Sequence, residues 1–105
     1  MASPPLTPAV FHILLALADG PLHGYAIMQA VEASAGFAMG PGTIYGTLER
    51  LEASGLVKEL PASREDRRRV FALHPLGRAA LQDEARRLAR LAALVRAKRL
   101  VPRES

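Results

Sequence analysis

The chain of 105 residues has no cysteine and no tryptophan, and only 5% of it is aromatic. The missing cysteine excludes a disulfide framework and a thiolate metal site, and leaves the redox compartment open. With so few rings the interior has to be aliphatic, and alanine and leucine, both good helix formers, supply most of it. No apolar run is long enough to span a bilayer, and the opening Met-Ala-Ser-Pro-Pro-Leu-Thr holds neither a basic segment nor an apolar signal core. A soluble, cytoplasmic protein with no membrane partner is the expectation. Lysine and arginine are absent from residues 1–49, which carry Asp19, Glu32 and Glu49. All 14 basic residues fall in 50–105 against seven acidic ones, so the net charge of +4 conceals a strongly basic second half. Such asymmetry points to one region that faces a polyanion.

At this length one domain with one core is expected. Thr7-Pro8 reads as a helix start, and Val10, Ile13, Leu14 and Leu17 then recur at helical spacing until Asp19-Gly20-Pro21. A second helix is predicted over about 23–34, with Tyr25, Ile27, Met28 and Val31 inward and Gly36 closing it. A third begins near Gly42, carries Ile44, Leu48 and Leu51 on one stripe, and stops at Ser54-Gly55. The period then changes. Residues 56–60 and 69–73 read as two short strands around a polar, turn-prone segment, a hairpin with a charged tip. His74-Pro75-Leu76-Gly77 opens a last helix reaching about Arg99, followed by a frayed tail from Val101 to Ser105. The fold class is therefore mainly α with a small β-hairpin: a winged helix-turn-helix over 1–75 and a long C-terminal amphipathic helix and tail over 76–105, in one structural unit.

In a helix-turn-helix the second helix of the pair enters the major groove N-terminal end first. That end lies near Gly42, where the free amides of Gly42, Thr43 and Ile44 are expected to face a phosphate, helped by the helix dipole. His23 and Tyr25 open the preceding helix beside it. Thr43 and Tyr45 offer hydroxyls, Gly46 leaves room beside the backbone, and Thr47, Glu49 and Arg50 are placed to present groups to base edges. At the wing, Arg64, Arg67, Arg68 and Arg69 crowd into six positions against Glu65 and Asp66. Arginine's donor fork suits phosphate and narrow minor grooves, so two or three of the four are expected to reach DNA, with Asp66 holding one in place. Double-stranded DNA is the expected partner.

The acidic first half leaves few phosphate contacts per copy, and two rigidly held copies would double them. On the last helix Leu81, Leu88 and Val95 lie seven apart, with Ala85, Leu91 and Ala92 between them, a heptad-like seam expected to join two copies. Asp83 with Arg86 and Arg87 supports the wet side.

Three strings resemble the PadR family of bacterial regulators. Leu22-His23-Gly24-Tyr25-Ala26-Ile27 is similar to the opening of its second helix. The run from Gly42-Thr43-Ile44-Tyr45-Gly46-Thr47 through Leu48-Glu49-Arg50-Leu51 to Gly55-Leu56-Val57 is similar to its recognition helix and wing entry. Phe71-Ala72-Leu73-His74-Pro75-Leu76-Gly77-Arg78 is similar to the junction with its last helix. The resemblance implies a homodimeric repressor of the short subtype, reading a pseudo-palindromic site, with the partner's first helix sharing the interface. Some short members bind planar aromatic drugs between paired tryptophans, a pocket that this tryptophan-free chain is not expected to build, so an effector is left open. The MarR family is the nearest competitor, since Asp66 and Arg68 followed by residues 70–77 look like its wing, but it usually places a longer helical segment before the first helix.

Two readings from other classes compete with this one. An enzyme is disfavoured: His12, His23 and His74 are dispersed, the serines fall in caps, turns or tails, no metal-ligand spacing occurs, and Gly40-Pro41-Gly42 lacks the Gly-Lys-Ser/Thr of a phosphate loop. No cofactor is expected. A winged helix built for protein contact would not need four arginines at its tip.

Overall fold

Thr7 starts the first helix as the spacing predicts: its side chain accepts the Val10 N–H at 3.3 Å, and Pro8 occupies the first turn, where its missing N–H costs nothing. The computed structural model, which describes residues 4–102, continues from there as α1 (Pro8–Ala16), β1 (Leu22–His23), α2 (Gly24–Ala35), α3 (Pro41–Ala53), β2 (Val57–Leu60), β3 (Val70–Leu73) and α4 (Pro75–Ala97). The tail residues 103–105 lie outside the described residues. Among the described residues no helix is long and apolar enough to cross a membrane.

Gly36 ends α2 in the left-handed region at φ 77°, and its N–H donates to the Glu32 carbonyl, which is how a glycine closes a helix without steric penalty. The sheet has one strand more than the hairpin expected from the sequence. β1 pairs antiparallel with β3, Leu22 opposite Phe71 and His23 opposite Val70, giving the order β1-β3-β2. Two residues are too few to show a period of two, so this strand left no pattern to read. It also delays α2 by one residue, since His23 stays extended and the helix begins at Gly24.

The core joins Ile13, Leu14 and Leu17 of the first helical segment to Ile27, Val31, Ile44, Leu48, Leu51 and Val57, with Phe71 the single ring fully buried among them. Tyr25 does not join them. It was expected inward, yet it is 66% exposed, because the inward stripe of α2 runs through Gly24, Ile27 and Val31 and leaves its neighbour on the outer flank.

α4 divides into two parts. Its opening turns are anchored: Gly77, Ala80, Leu81 and Glu84 are buried, and Arg78 donates to the Ala18 carbonyl at 2.9 Å. A Cβ at Gly77 would collide with the Leu56 carbonyl, so glycine lets the helix start directly against the entry to β2. Glu84 accepts the Leu6 N–H at 3.2 Å and pairs with Arg87, while Asp83 pairs with Arg86 at 2.6 Å. Leu81 corrects the expected seam: it is 6% exposed and belongs to the chain's own core, because the helix packs inward before it leaves the domain. Beyond Glu84 the helix projects. Ala85, Leu88 and Leu91 are exposed, Ala92 and Val95 are half-buried, and Leu94, which the heptad spacing passed over, is 55% exposed.

Candidate nucleic-acid interface

The exposed end of α3 is built from small residues. Gly40 precedes the helix in extended backbone with no side-chain cap, and Pro41 fills the first position. The Ile44 N–H already donates to the Gly40 carbonyl at 3.0 Å. Three free amides were expected here; the helix starts one residue earlier than the sequence indicated, so Ile44 is engaged and the exposed donors are Gly42 and Thr43. Proline has no N–H to add. No acidic side chain stands in the first turn, which leaves the positive end of the helix dipole uncompensated.

Thr47 is a further correction. It is 4% exposed, its hydroxyl donates to the Thr43 carbonyl at 2.7 Å, and it accepts from Arg50 Nη2 at 3.1 Å. It therefore presents nothing to a base edge. The stripe of Ile44, Thr47, Leu48 and Leu51 has the i, i+3, i+4, i+7 spacing of a buried helix face, a signal that chain polarity masked. Arg50 and Glu49 are exposed, and Gly46 lies half-buried beside the Arg50 guanidinium.

Tyr45 is half-buried. Its hydroxyl and ring edge lie against Gly24, where a Cβ would collide with them, and the ring centroid is 6.2 Å from that of Phe71. The ring thereby fixes the distance between α2 and α3, and its hydroxyl is directed at α2. His23, one residue before, has its Nδ1 buried without a protein partner and its Nε2 3.7 Å from Asp66 Oδ2.

The wing loop is folded on itself. Ser63 N–H donates to the Asp66 carbonyl at 3.2 Å, and Asp66 N–H donates to Ser63 Oγ at 2.9 Å. Asp66 in turn accepts the backbone N–H of Arg68 and its Nε and Nη2, the last at 2.7 Å. These bonds hold the Asp66 carboxyl well below the usual carboxylate range, with the Arg68 side chain the main cause. Arg64 and Arg67 are exposed, and Arg68, though tethered, keeps 68% of its side chain in solvent.

Arg69 does not share the tip. It reaches Glu59 Oε1 at 2.8 Å and Oε2 at 3.1 Å, stands 3.7 Å from Glu49 Oε1, and lies 5.2 Å from the Tyr45 ring centroid and 5.3 Å from that of Phe71. Its backbone carbonyl accepts the Gly24 N–H at 3.2 Å. One residue thus ties the start of α2, the middle of α3 and the base of the wing along a single edge. Sequence reasoning counted it with the tip arginines. The hydrogen-bonded pairing of Leu60 with Val70, which sets Arg69 near Glu59, was the missing information.

Comparison with known proteins accords with this arrangement. Residues 13–83 match the model of the transcriptional regulator PadR-like family. A 37.1 kDa protein in transposon TN4556 of Streptomyces fradiae is 52% identical over 83 residues; this covers 79% of the chain but only 24% of that protein, so the chain spans about a quarter of this relative's length. The transcriptional regulator Rv3488 of Mycobacterium tuberculosis is 44% identical over 82 residues, covering 77% of the chain and 76% of the relative. Among solved structures, a PadR family transcription regulator from hypervirulent Clostridium difficile superposes with a TM-score of 0.76 at 22% identity, over 87% of this chain and 97% of the other. Bacillus subtilis PadR in complex with operator DNA gives 0.62 at 23% identity, over 76% of this chain and 46% of the other. The last two likenesses establish the fold as a winged helix of the PadR kind, and the family match covers most of the chain and decides against MarR. This chain belongs to the transcriptional regulator PadR-like family.

Proposed function

We propose that the protein is a homodimeric, sequence-specific repressor that binds a pseudo-palindromic operator in the cytoplasm, each copy placing α3 in the major groove and its wing alongside. The observation that carries this reading is the single edge on which Arg69 gathers the start of α2, α3 and the wing. Along it the Gly42 and Thr43 amides, the Thr43 hydroxyl, exposed Tyr25 and Arg50, and Arg64, Arg67 and Arg68 form a donor-rich surface. His23 and Tyr45 serve this surface from within, as packing and tethering groups. The operator complex of Bacillus subtilis PadR supports the same placement by likeness of fold.

For assembly, the projecting half of α4 supplies Ala85, Leu88, Leu91, Ala92, Leu94 and Val95, and a second copy is their proposed cover. An apolar stripe of this kind is unfavourable in water and long enough to pair with another helix.

The test is binding to duplex DNA as a function of salt. Each neutralised phosphate contributes about 0.9 to the logarithmic slope. Replacing Arg64 and Arg67 by alanine is expected to weaken binding to every sequence and lower the slope by about 1.8 per copy. An unchanged slope removes the wing from the interface, and no retention on DNA at low salt removes the whole reading.

A further inference from the structure

Resting on that DNA-binding reading, we propose that Arg50 is the specificity-determining residue of α3, reading a guanine in each half-site, and that Thr47 is the positioning residue that aims it. Gly42, Gly46 and Arg50 are four apart and share one stripe of the helix. Nothing lies within 4 Å of where a Cβ at Gly42 would stand, and at Gly46 the only neighbour is Arg50 Nη1 at 3.8 Å. The stripe is bare backbone until Arg50, whose guanidinium lies back over Gly46 toward the end of the helix that enters the groove. Long helical side chains lean in this direction.

That pose is held from below. Thr47 Oγ1 gives its proton to the Thr43 carbonyl and thereby turns a lone pair to Arg50 Nη2 at 3.1 Å. Thr47 is buried, so the bracket is fixed by the core. One of arginine's five N–H donors is used and four remain, enough for a bidentate contact. The neighbouring charged group, Glu49, lies off this stripe and stands 3.7 Å from Arg69, on the side of the wing. What α3 presents to bases is therefore a single aimed donor fork. In the major groove only guanine offers two adjacent acceptors, O6 and N7, to such a fork; adenine replaces one of them with a donor. Lysine can also reach O6 and N7, whereas an amide such as that of glutamine pairs with adenine N6 and N7 instead.

The experiment is selection of bound duplexes from a random-sequence pool by the full chain, followed by affinity measurement on the selected site and on versions with its G·C pairs changed singly to A·T. Wild type is expected to select a fixed G·C pair in each half-site and to lose roughly ten- to a hundred-fold in affinity when it is changed. Arg50→Gln is expected to bring the guanine preference at that pair down to about two-fold or to turn it toward A·T. Thr47→Val, which preserves shape in the core, is expected to reduce discrimination part-way, and Thr47→Ser to restore it, with circular dichroism and melting temperature confirming that all three variants are folded. Undiminished guanine preference in Arg50→Gln overturns the assignment of Arg50. Undiminished preference in folded Thr47→Val overturns the positioning role of Thr47. If wild type enriches no sequence, the DNA-binding reading falls, and this inference with it.

Discussion

Arg69 and Glu59 meet across the base of the wing through two hydrogen bonds, Nη2 to Oε1 at 2.8 Å and Nε to Oε2 at 3.1 Å. Two parallel charge-assisted bonds fix orientation as well as distance, and the rings of Tyr45 and Phe71 support the guanidinium. The pair is partly solvated, so its stabilisation is moderate. Arg69→Ala is expected to cost about 1–2 kcal/mol, and a double-mutant cycle with Glu59→Gln to give a coupling of about 1 kcal/mol. Urea titration of the four proteins measures it; a coupling near zero means that the pair is incidental to stability.

Gly24 and Tyr45 give a second expectation. A methyl group at position 24 would strike the Tyr45 hydroxyl and ring edge. Gly24→Ala is therefore expected to destabilise the fold by about 1–3 kcal/mol, the usual cost of overpacking. Tyr45→Phe in that background removes the nearest atom and should recover part of the loss. Thermal melts of the wild type and the two variants test this, and full stability of Gly24→Ala rejects the wedge.

Acid should loosen the wing before the core. Arg68 lowers the Asp66 carboxyl, chiefly by its side-chain hydrogen bonds, and the Arg69 hydrogen bond lowers Glu59. Carboxyls whose folded pKa lies below the unfolded value stabilise the fold at pH above about 4. That contribution fades as pH falls through the folded values. The Arg68 and Ser63 amides are expected to keep their native NMR shifts from neutral pH through about 4, where free carboxyls titrate, and to lose them only well below it. Loss beginning near pH 6 would contradict this account, and Asp66→Asn should abolish the Arg68 part.

The two halves of α4 should answer differently to the same chemistry. Leu81 is in the core, so Leu81→Ala is expected to cost about 2–4 kcal/mol within a single subunit. Leu91 is half exposed, so Leu91→Asp should leave the secondary structure intact and yield monomers in sedimentation. If the Leu91→Asp protein still sediments as a dimer, the stripe is not the joint.

Helix boundaries were legible because local chemistry marks them: Thr7 with Pro8, Gly36 and the Ser54-Gly55 turn act within one or two residues of their own position. The wing was legible from the change of period after Gly55. What stayed hidden depended on partners distant in the chain. β1 exists only because β3 pairs with it, and Arg69 is withdrawn from the tip only because strand register sets Glu59 beside it. Thr47 was hidden by chemistry, since a hydroxyl satisfied by its own helix is buried as easily as a methyl. Leu81 looked like the start of a heptad because a stripe of leucines does not say where a helix leaves its own domain.

The contact at Gly77 has a mechanical consequence. With the Leu56 carbonyl lodged where a side chain would begin, the angle at which α4 departs is set by backbone against backbone. The 23 residues of that helix extend about 35 Å at 1.5 Å per residue. Over such a lever arm a tilt of about 10° at the pivot swings the far tip by about 6 Å. A single methyl at position 77 would thus be felt most strongly at the end of the molecule farthest from it.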